Sequence, residues 1–331
     1  MIPYRLLLVS DPIPESPAGI HCSNQMIGYA LWTEFKKLPH VTFEHQRSDP
    51  KSTHEEWREG LLNQSRSDFT LVHSYAPGAI FNELDVLKRR SKYELMWISE
   101  LPHGVFDYNF TFLPTRGVRG EQMPLPALRS ALDESMVGVQ KIKNSVLLDH
   151  HWSWSGDYAI NRNPNLWCQR LYDWLEPMKD WIHVGQMESV NHEAASGVPI
   201  PDWVHRVPNA FYPEYLRSTA PYENFVMTHP GTYEHSTVDM LARGIRVLVP
   251  VPTVSHKHKD GWEIIQGGST FAPLDTVSRF NLPLFSNREG FLTLLDTPFD
   301  GSSWGNQCTD APQMAAQIDA HCQRVLNGRG R

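Results

Sequence analysis

Apolar residues in this chain come in short unbroken runs separated by longer stretches of helical spacing. "YRLLLVS" (4–10), "DFTLVHSY" (68–75), "YELMWIS" (93–99), "SVLLDHHW" (145–152) and "IRVLVP" (245–250) lack the alternation of a half-exposed strand. Continuous runs of this kind suit strands of a parallel sheet covered on both faces. "VTFEHQR" (41–47), "FTFL" (110–113), "WIHVGQ" (181–186) and "ENFVMTH" (223–229) read as further strands. Between them, "MIGYALWTEFKKL" (26–38), "THEEWREGLLNQS" (53–65), "AIFNELDVLKRR" (79–90) and "LWCQRLYDWLEPMKD" (166–180) place apolar residues at the spacing of an amphipathic helix. "GFLTLLD" (290–296) and "PQMAAQIDAHCQRVLN" (312–327) predict late helices.

Strand and helix alternate, which is the signature of a parallel sheet wrapped by helices. The pattern pauses at "PTRGVRGEQMPLP" (114–126), read as a loop or lid, and restarts at Ser145. The expected fold class is therefore α/β with two facing Rossmann-like domains. The expected limits are residues 1–140, residues 141–310, and a C-terminal helix over 311–331. With 331 residues and 40% hydrophobic content, the chain can form two cores of ordinary size.

Charge and cysteines narrow the class. A formal net charge of −7 argues against a surface that grips nucleic acid throughout, while leaving room for a local basic patch. Cys22, Cys168, Cys308 and Cys322 form no CxxC pair and read as free thiols of a reducing compartment. The N-terminal stretch has no signal-peptide pattern and no run approaches a membrane span, so a cytoplasmic location is expected.

Ligands of open α/β sheets bind beyond the carboxyl ends of the strands, where helix N-termini favour anions. Three loops are placed there. In "AGIHCS" (18–23), Gly19 frees the backbone and His21 is suited to act as a general base, or is simply a surface histidine. In "HHWSWSG" (150–156), Ser153, Ser155 and Gly156 can cradle a diphosphate and Trp154 can stack on a ligand; an ordinary connection is the alternative. In "THPGTYEHSTVDMLARG" (228–244), Gly231 turns the chain and Thr232 and its neighbours offer donors. Asp239, early in the following helix, is placed to accept ribose hydroxyls, or is a solvated helix aspartate. No metal site is expected: Asp149, His150 and His151 are consecutive and would alternate between strand faces. "SHKHKDGWE" (255–263) reads as a solvated loop.

On three of its stretches the second half resembles the donor half of GT-B glycosyltransferases, and in the first half "AGIHCSNQMIGYALWTEF" is similar to the loop that carries a catalytic histidine in many of them. The likeness is to the pattern of the N-acetylglucosaminyltransferase that forms lipid II. "SVLLDHHWSWSG" matches the strand and phosphate loop, "WVHRVPNAFYPEYL" the strand and loop beside the nucleobase, and "THPGTYEHSTVDMLARGIRVLVP" the nucleotide-binding helix and next strand. The resemblance implies a donor site built from Gly19, Ser153, Trp154, Ser155, Gly156, Val207, His229, Gly231, Thr232, Tyr233, His235, Ser236 and Asp239. It places His21 in the base role, with Asp107 and His103 of "ELPHGVFD" as rivals. Arg116 and Arg119 would hold acceptor or phosphate.

The activity implied is transfer of a sugar from a nucleotide-diphosphate donor, a UDP-sugar by default, to an acceptor hydroxyl, without an obligatory metal or other cofactor. The acceptor stays open among a glycan, a lipid-linked sugar, a small molecule and a modified DNA base. The same scaffold also serves nucleotide-sugar epimerases and phosphorylases, and a non-catalytic nucleotide- or sugar-binding protein would share it. A metal-dependent hydrolase using the histidine clusters is the remaining alternative.

Overall fold

The computed structural model describes residues 1–20, 23–47, 54–63, 65–73, 82–99, 102–112, 117–149, 166–188, 199–227, 235–250, 256–257, 263–264, 281–305 and 307–328. The chain forms two compact units. One comprises Met1–Leu128 with Thr309–Arg331, the other Arg129–Cys308. The division falls ahead of the strand restart, and helix Arg129–Met136 packs on helix Tyr212–Thr219 of the second unit.

The first unit holds six strands: β1 (Tyr4–Ser10), β2 (Val41–Arg47), β3 (Ser67–His73), β4 (Ser91–Ser99), β5 (Tyr108–Thr111) and β6 (Gly120–Gln122). They run parallel in the order β2-β1-β3-β4-β5-β6. Leu7, Val9, Val72, Leu95, Trp97 and Phe106 form one face of the core. The unbroken apolar runs are explained by this burial, since the residues on the opposite face, such as Leu6, Leu8 and Leu71, are buried as well.

The second unit holds β7 (Ser145–Leu148), β8 (His183–Met187), β9 (His205–Val207), β10 (Asn224–Val226), β11 (Arg246–Pro250) and β14 (Leu284–Phe285), in the order β14-β11-β10-β7-β8-β9. All neighbours are parallel. Val146, Leu148, Leu171, Tyr172, Val226, Leu248 and Phe291 are core residues. Gly185 of β8 lies against Tyr222, where an added Cβ would fall 2.1 Å from the phenol oxygen. No helix among the described residues is long and apolar enough to cross a membrane.

Three local readings are corrected. The Gly/Pro/Arg-rich stretch contains strand β6, paired with β5 through Asn109 and Gly120. It is invisible to hydrophobic periodicity because it is a short polar edge strand. Its defining residue is Gly120, whose added Cβ would lie 2.1 Å from the Asn109 carbonyl oxygen. "SHKHKDGWE" is not simply a loop: β12 (His256–Lys257) pairs antiparallel with β13 (Glu263–Ile264). "AFYPEYL" carries helix Tyr212–Thr219 rather than loop alone, with Pro213 in its first turn where the missing N–H costs nothing.

The last helix, Ala311–Gly328, belongs to the first unit and packs on helix Ser23–Phe35. Met314, Ala315, Ile318 and Cys322 are its buried face. Asp319 Oδ1 accepts both the Tyr4 hydroxyl at 2.8 Å and a contact from His40 Nε2 at 2.9 Å. His321 Nε2 lies 2.7 Å from Glu94 Oε2, and its ring stacks on Tyr108 at 3.7 Å.

Candidate functional site

The strand order of the second unit contains a reversal. From β7 the chain adds β8 and β9 on one side, then returns to place β10, β11 and β14 on the other. Such a switch point leaves a crevice at the carboxyl ends of the two central strands, here β7 and β10, and is the favoured ligand position in open α/β sheets. Asp149 directly follows β7. Its backbone N–H donates to the Val226 carbonyl at 3.0 Å, and its own carbonyl accepts from the Gln186 side-chain amide. Gln186 is in turn held by the Tyr172 hydroxyl at 3.0 Å. The Asp149 side chain is therefore delivered by a fixed backbone.

Across the switch point lies helix His235–Ala242, whose residues from His235 to Leu241 are all buried. Ser236 Oγ donates to Asp149 Oδ1 at 3.3 Å, and Thr237 Oγ1 contacts Met227 Sδ at 3.2 Å. The helix ends at Gly244, whose φ of +68° is a left-handed conformation natural to glycine at a helix terminus. Gly301 packs directly on it, with no room for a side chain.

Asp239 is the unusual group. It is 1% exposed, and its Oδ1 accepts the Tyr212 hydroxyl at 2.8 Å. Its Oδ2 is buried without a hydrogen-bond partner among the described residues. The cation four residues on does not neutralise it by hydrogen bonding. Arg243 donates instead to the Asp239 main-chain carbonyl (3.1 Å), the Leu216 carbonyl (2.8 Å) and Thr219 Oγ1 (3.0 Å). Burial raises the Asp239 carboxyl to about 7, opposed by the charge of Arg243 and the bond from Tyr212. The Tyr212 hydroxyl is itself pushed well above its usual value, by burial first and then by Asp239. A buried acceptor left unpaired costs roughly 1–3 kcal/mol, so its retention needs a cause.

Among the sequence-predicted donor residues, His235, Ser236 and Asp239 share this helix. Val207 is buried at the end of edge strand β9. Ser153, Trp154, Ser155, Gly156, His229, Gly231, Thr232 and Tyr233 lie outside the described residues, as do His21 and Arg116. Gly19 ends the short helix Pro17–Gly19, and its added Cβ would lie 2.8 Å from Pro14 Cβ, so packing alone requires glycine there.

Of the two rival bases of the first unit, Asp107 has its carboxylate engaged within the sheet. Asp107 lies alongside Leu95, in the middle of β4 and not at its carboxyl end. Its Oδ2 accepts the Leu95 N–H at 2.8 Å. His103 donates its backbone N–H to Asn109 Oδ1 at 2.8 Å, and burial lowers its imidazole below the usual value. Arg119 is held by Glu94 at 2.7 Å and lies 5.4 Å from the Tyr108 ring centroid. Among the described residues, no group of three or more His, Cys, Asp or Glu side chains is arranged to hold a metal. Sequence reading overlooked Tyr212 and passed over Asp149 as one member of an improbable metal triplet. The signal for Asp149 was its place immediately after a central strand. Tyr212 had none, because its bond to Asp239 spans 27 residues of sequence.

No protein-family model and no curated protein matches the sequence. Solved structures do match the fold. AviGT4, a glycosyltransferase involved in avilamycin A biosynthesis, is 13% identical over 98% of this chain and 99% of its own, with a TM-score of 0.56. The UDP-GlcNAc 2-epimerase of Neisseria meningitidis, bound to UDP-GlcNAc, is 11% identical over 96% and 98%, with a TM-score of 0.54. An alpha-glucosyltransferase in complex with UDP and a 13-mer DNA containing an HMU base is 13% identical over 96% and 99%, with a TM-score of 0.56. The chain has the GT-B fold of two Rossmann-like units common to these glycosyltransferases and epimerases.

Proposed function

We propose that this chain is a glycosyltransferase that takes its sugar from a nucleoside-diphosphate sugar, with a UDP-sugar the first donor to test. The observation that carries the reading is the buried, half-paired carboxylate of Asp239 beside the switch point of the second unit. A nucleotide ribose supplies the hydroxyl donors that such an acceptor lacks. Because Asp239 is covered, the ribose reaches it only as the groups over it give way. Ser153, Ser155 and Thr232 are assigned to the diphosphate on the sequence resemblance.

In the proposed reaction an acceptor hydroxyl gives up its proton to a base as its oxygen bonds the anomeric carbon. The bond from that carbon to the phosphate oxygen breaks, and the nucleoside diphosphate leaves. His21 is the preferred base, since the Asp107 carboxylate already caps the Leu95 N–H. No resident metal is assigned, and activity that survives excess EDTA is the expected outcome.

Fold neighbours that are epimerases support a second reading, in which the same donor is altered at the sugar without an acceptor. Incubation with UDP-glucose, UDP-GlcNAc and UDP-galactose, followed by NMR of the sugars, separates the two. Slow release of UDP with a free sugar, accelerated by an acceptor panel of glycans, small alcohols and hydroxymethyl-pyrimidine DNA, supports transfer. A new nucleotide sugar formed with no UDP released supports epimerisation and overturns the transferase. No change to any donor overturns both.

A further inference from the structure

Asp239 presents two unequal oxygens. Oδ1 carries the Tyr212 hydroxyl at 2.8 Å, whereas Oδ2 has no donor among the described residues. Tyr212 is buried at the first turn of its helix, and that helix is fixed to the Asp239 helix by Arg243, which bonds the Leu216 carbonyl and Thr219 hydroxyl. The phenol cannot swing away without leaving a second buried oxygen unpaired. Arg243 is committed to carbonyls and a hydroxyl, so it does not compete for Oδ2.

We propose that Tyr212 is a positioning residue that turns Asp239 into a reader of chiefly one ribose hydroxyl, received at Oδ2. This rests on the nucleotide-binding reading above. A carboxylate with both oxygens open would take the 2′- and 3′-hydroxyls together and depend on each comparably. With Oδ1 already occupied, one ribose hydroxyl carries most of the recognition and its neighbour adds little. A hydrogen bond to a buried acceptor carries the larger share of affinity because its loss strands the acceptor.

The test is calorimetric titration of the full chain with UDP, 2′-deoxy-UDP and 3′-deoxy-UDP, repeated on Tyr212→Phe. For the wild type, one deoxy analogue is expected to bind about tenfold or more weakly than UDP, and the other within about threefold. In Tyr212→Phe the two losses should converge to within about threefold of each other, because both carboxylate oxygens are then open. A merely structural tyrosine would weaken all three ligands alike and leave their ratio unmoved, which overturns the proposal. Equal losses in the wild type overturn it without need of the variant, as does tighter binding of all three by Tyr212→Phe, the mark of a phenol that competes with ribose. In each of these cases UDP still binds and the nucleotide reading stands. If GDP or ADP binds in place of UDP, its deoxy analogues are used in the same way; absence of binding of all three nucleotides to the wild type removes both.

Discussion

Ser236 donates its hydroxyl to Asp149 at 3.3 Å, joining the segment after β7 to the helix after β10 across the switch point of the second sheet. Both residues are buried, so the contact fixes the spacing of the two segments. Ser236→Ala is expected to lower stability by about 1–3 kcal/mol, since it removes a buried hydrogen bond to a carboxylate. Chemical denaturation followed by tryptophan fluorescence measures this. An unchanged midpoint would mean that the two segments are held by other contacts.

Asp239 gives the second unit a pH-dependent liability. Its carboxyl, raised to about 7 in the folded state, titrates near 4 when unfolded. Between these values the native state holds the extra proton, so stability falls as pH climbs from about 4 to about 7. Asp239→Asn is therefore expected to be more stable than the wild type at pH 8, by on the order of 2–4 kcal/mol, and nearly equal to it at pH 4. Melting curves at the two pH values check the sign. A variant destabilised at pH 8 would show that the charge is compensated in the native state.

Glu94 behaves in the opposite direction. Burial alone would raise its carboxyl, but hydrogen bonding and charge from His321, followed by Arg119, hold it below the usual range. A lowered folded value adds stability above the ordinary carboxylate titration, and that stability is lost as pH falls through the folded value. Glu94→Gln should destabilise the first unit by roughly 1–3 kcal/mol at pH 7 and by less at acidic pH. Because His321 lies on the terminal helix, the variant should also speed proteolytic removal of residues 311–331. Equal cleavage rates would show that Asp319 and the apolar face hold the helix unaided.

Gly120 offers a purely steric test. An added Cβ would fall 2.1 Å from the Asn109 carbonyl oxygen, which is backbone and has no free end to yield. Gly120→Ala should detach β6 from β5 and cost more than 2 kcal/mol, in the range of severe overpacking. Hydrogen exchange at the Asn109–Thr111 amides localises the effect. Unaltered protection there would mean that the strand pair adjusts.

The sequence displayed the fold wherever burial is two-sided. Leu6 to Val9 and Val247 to Val249 are continuous apolar runs because helices cover both faces of their sheets. It hid elements whose cause is local geometry. Strand β6 rests on the close approach allowed by Gly120, and helix Tyr212–Thr219 carries in its first turn a proline that also reads as a turn. Of the candidate site, the place of Asp239 early in a helix was legible in the sequence. Its burial and unequal oxygens were not, because they arise from Tyr212 on another helix. For Asp107 the sequence shows an aspartate in a connecting segment, and it does not show that its carboxylate accepts the N–H of Leu95 in the middle of β4, because that contact is made between strands.

The central claim is that the second unit holds a nucleoside diphosphate through Asp239. Titration of UDP, with GDP and ADP alongside, into the wild type and Asp239→Ala tests it most directly. The expected result is saturable binding of at least one of these nucleotides by the wild type, weakened about tenfold or more in a variant that remains folded. Equal affinity in the two proteins, or no binding of any of the three to the wild type, would contradict the account.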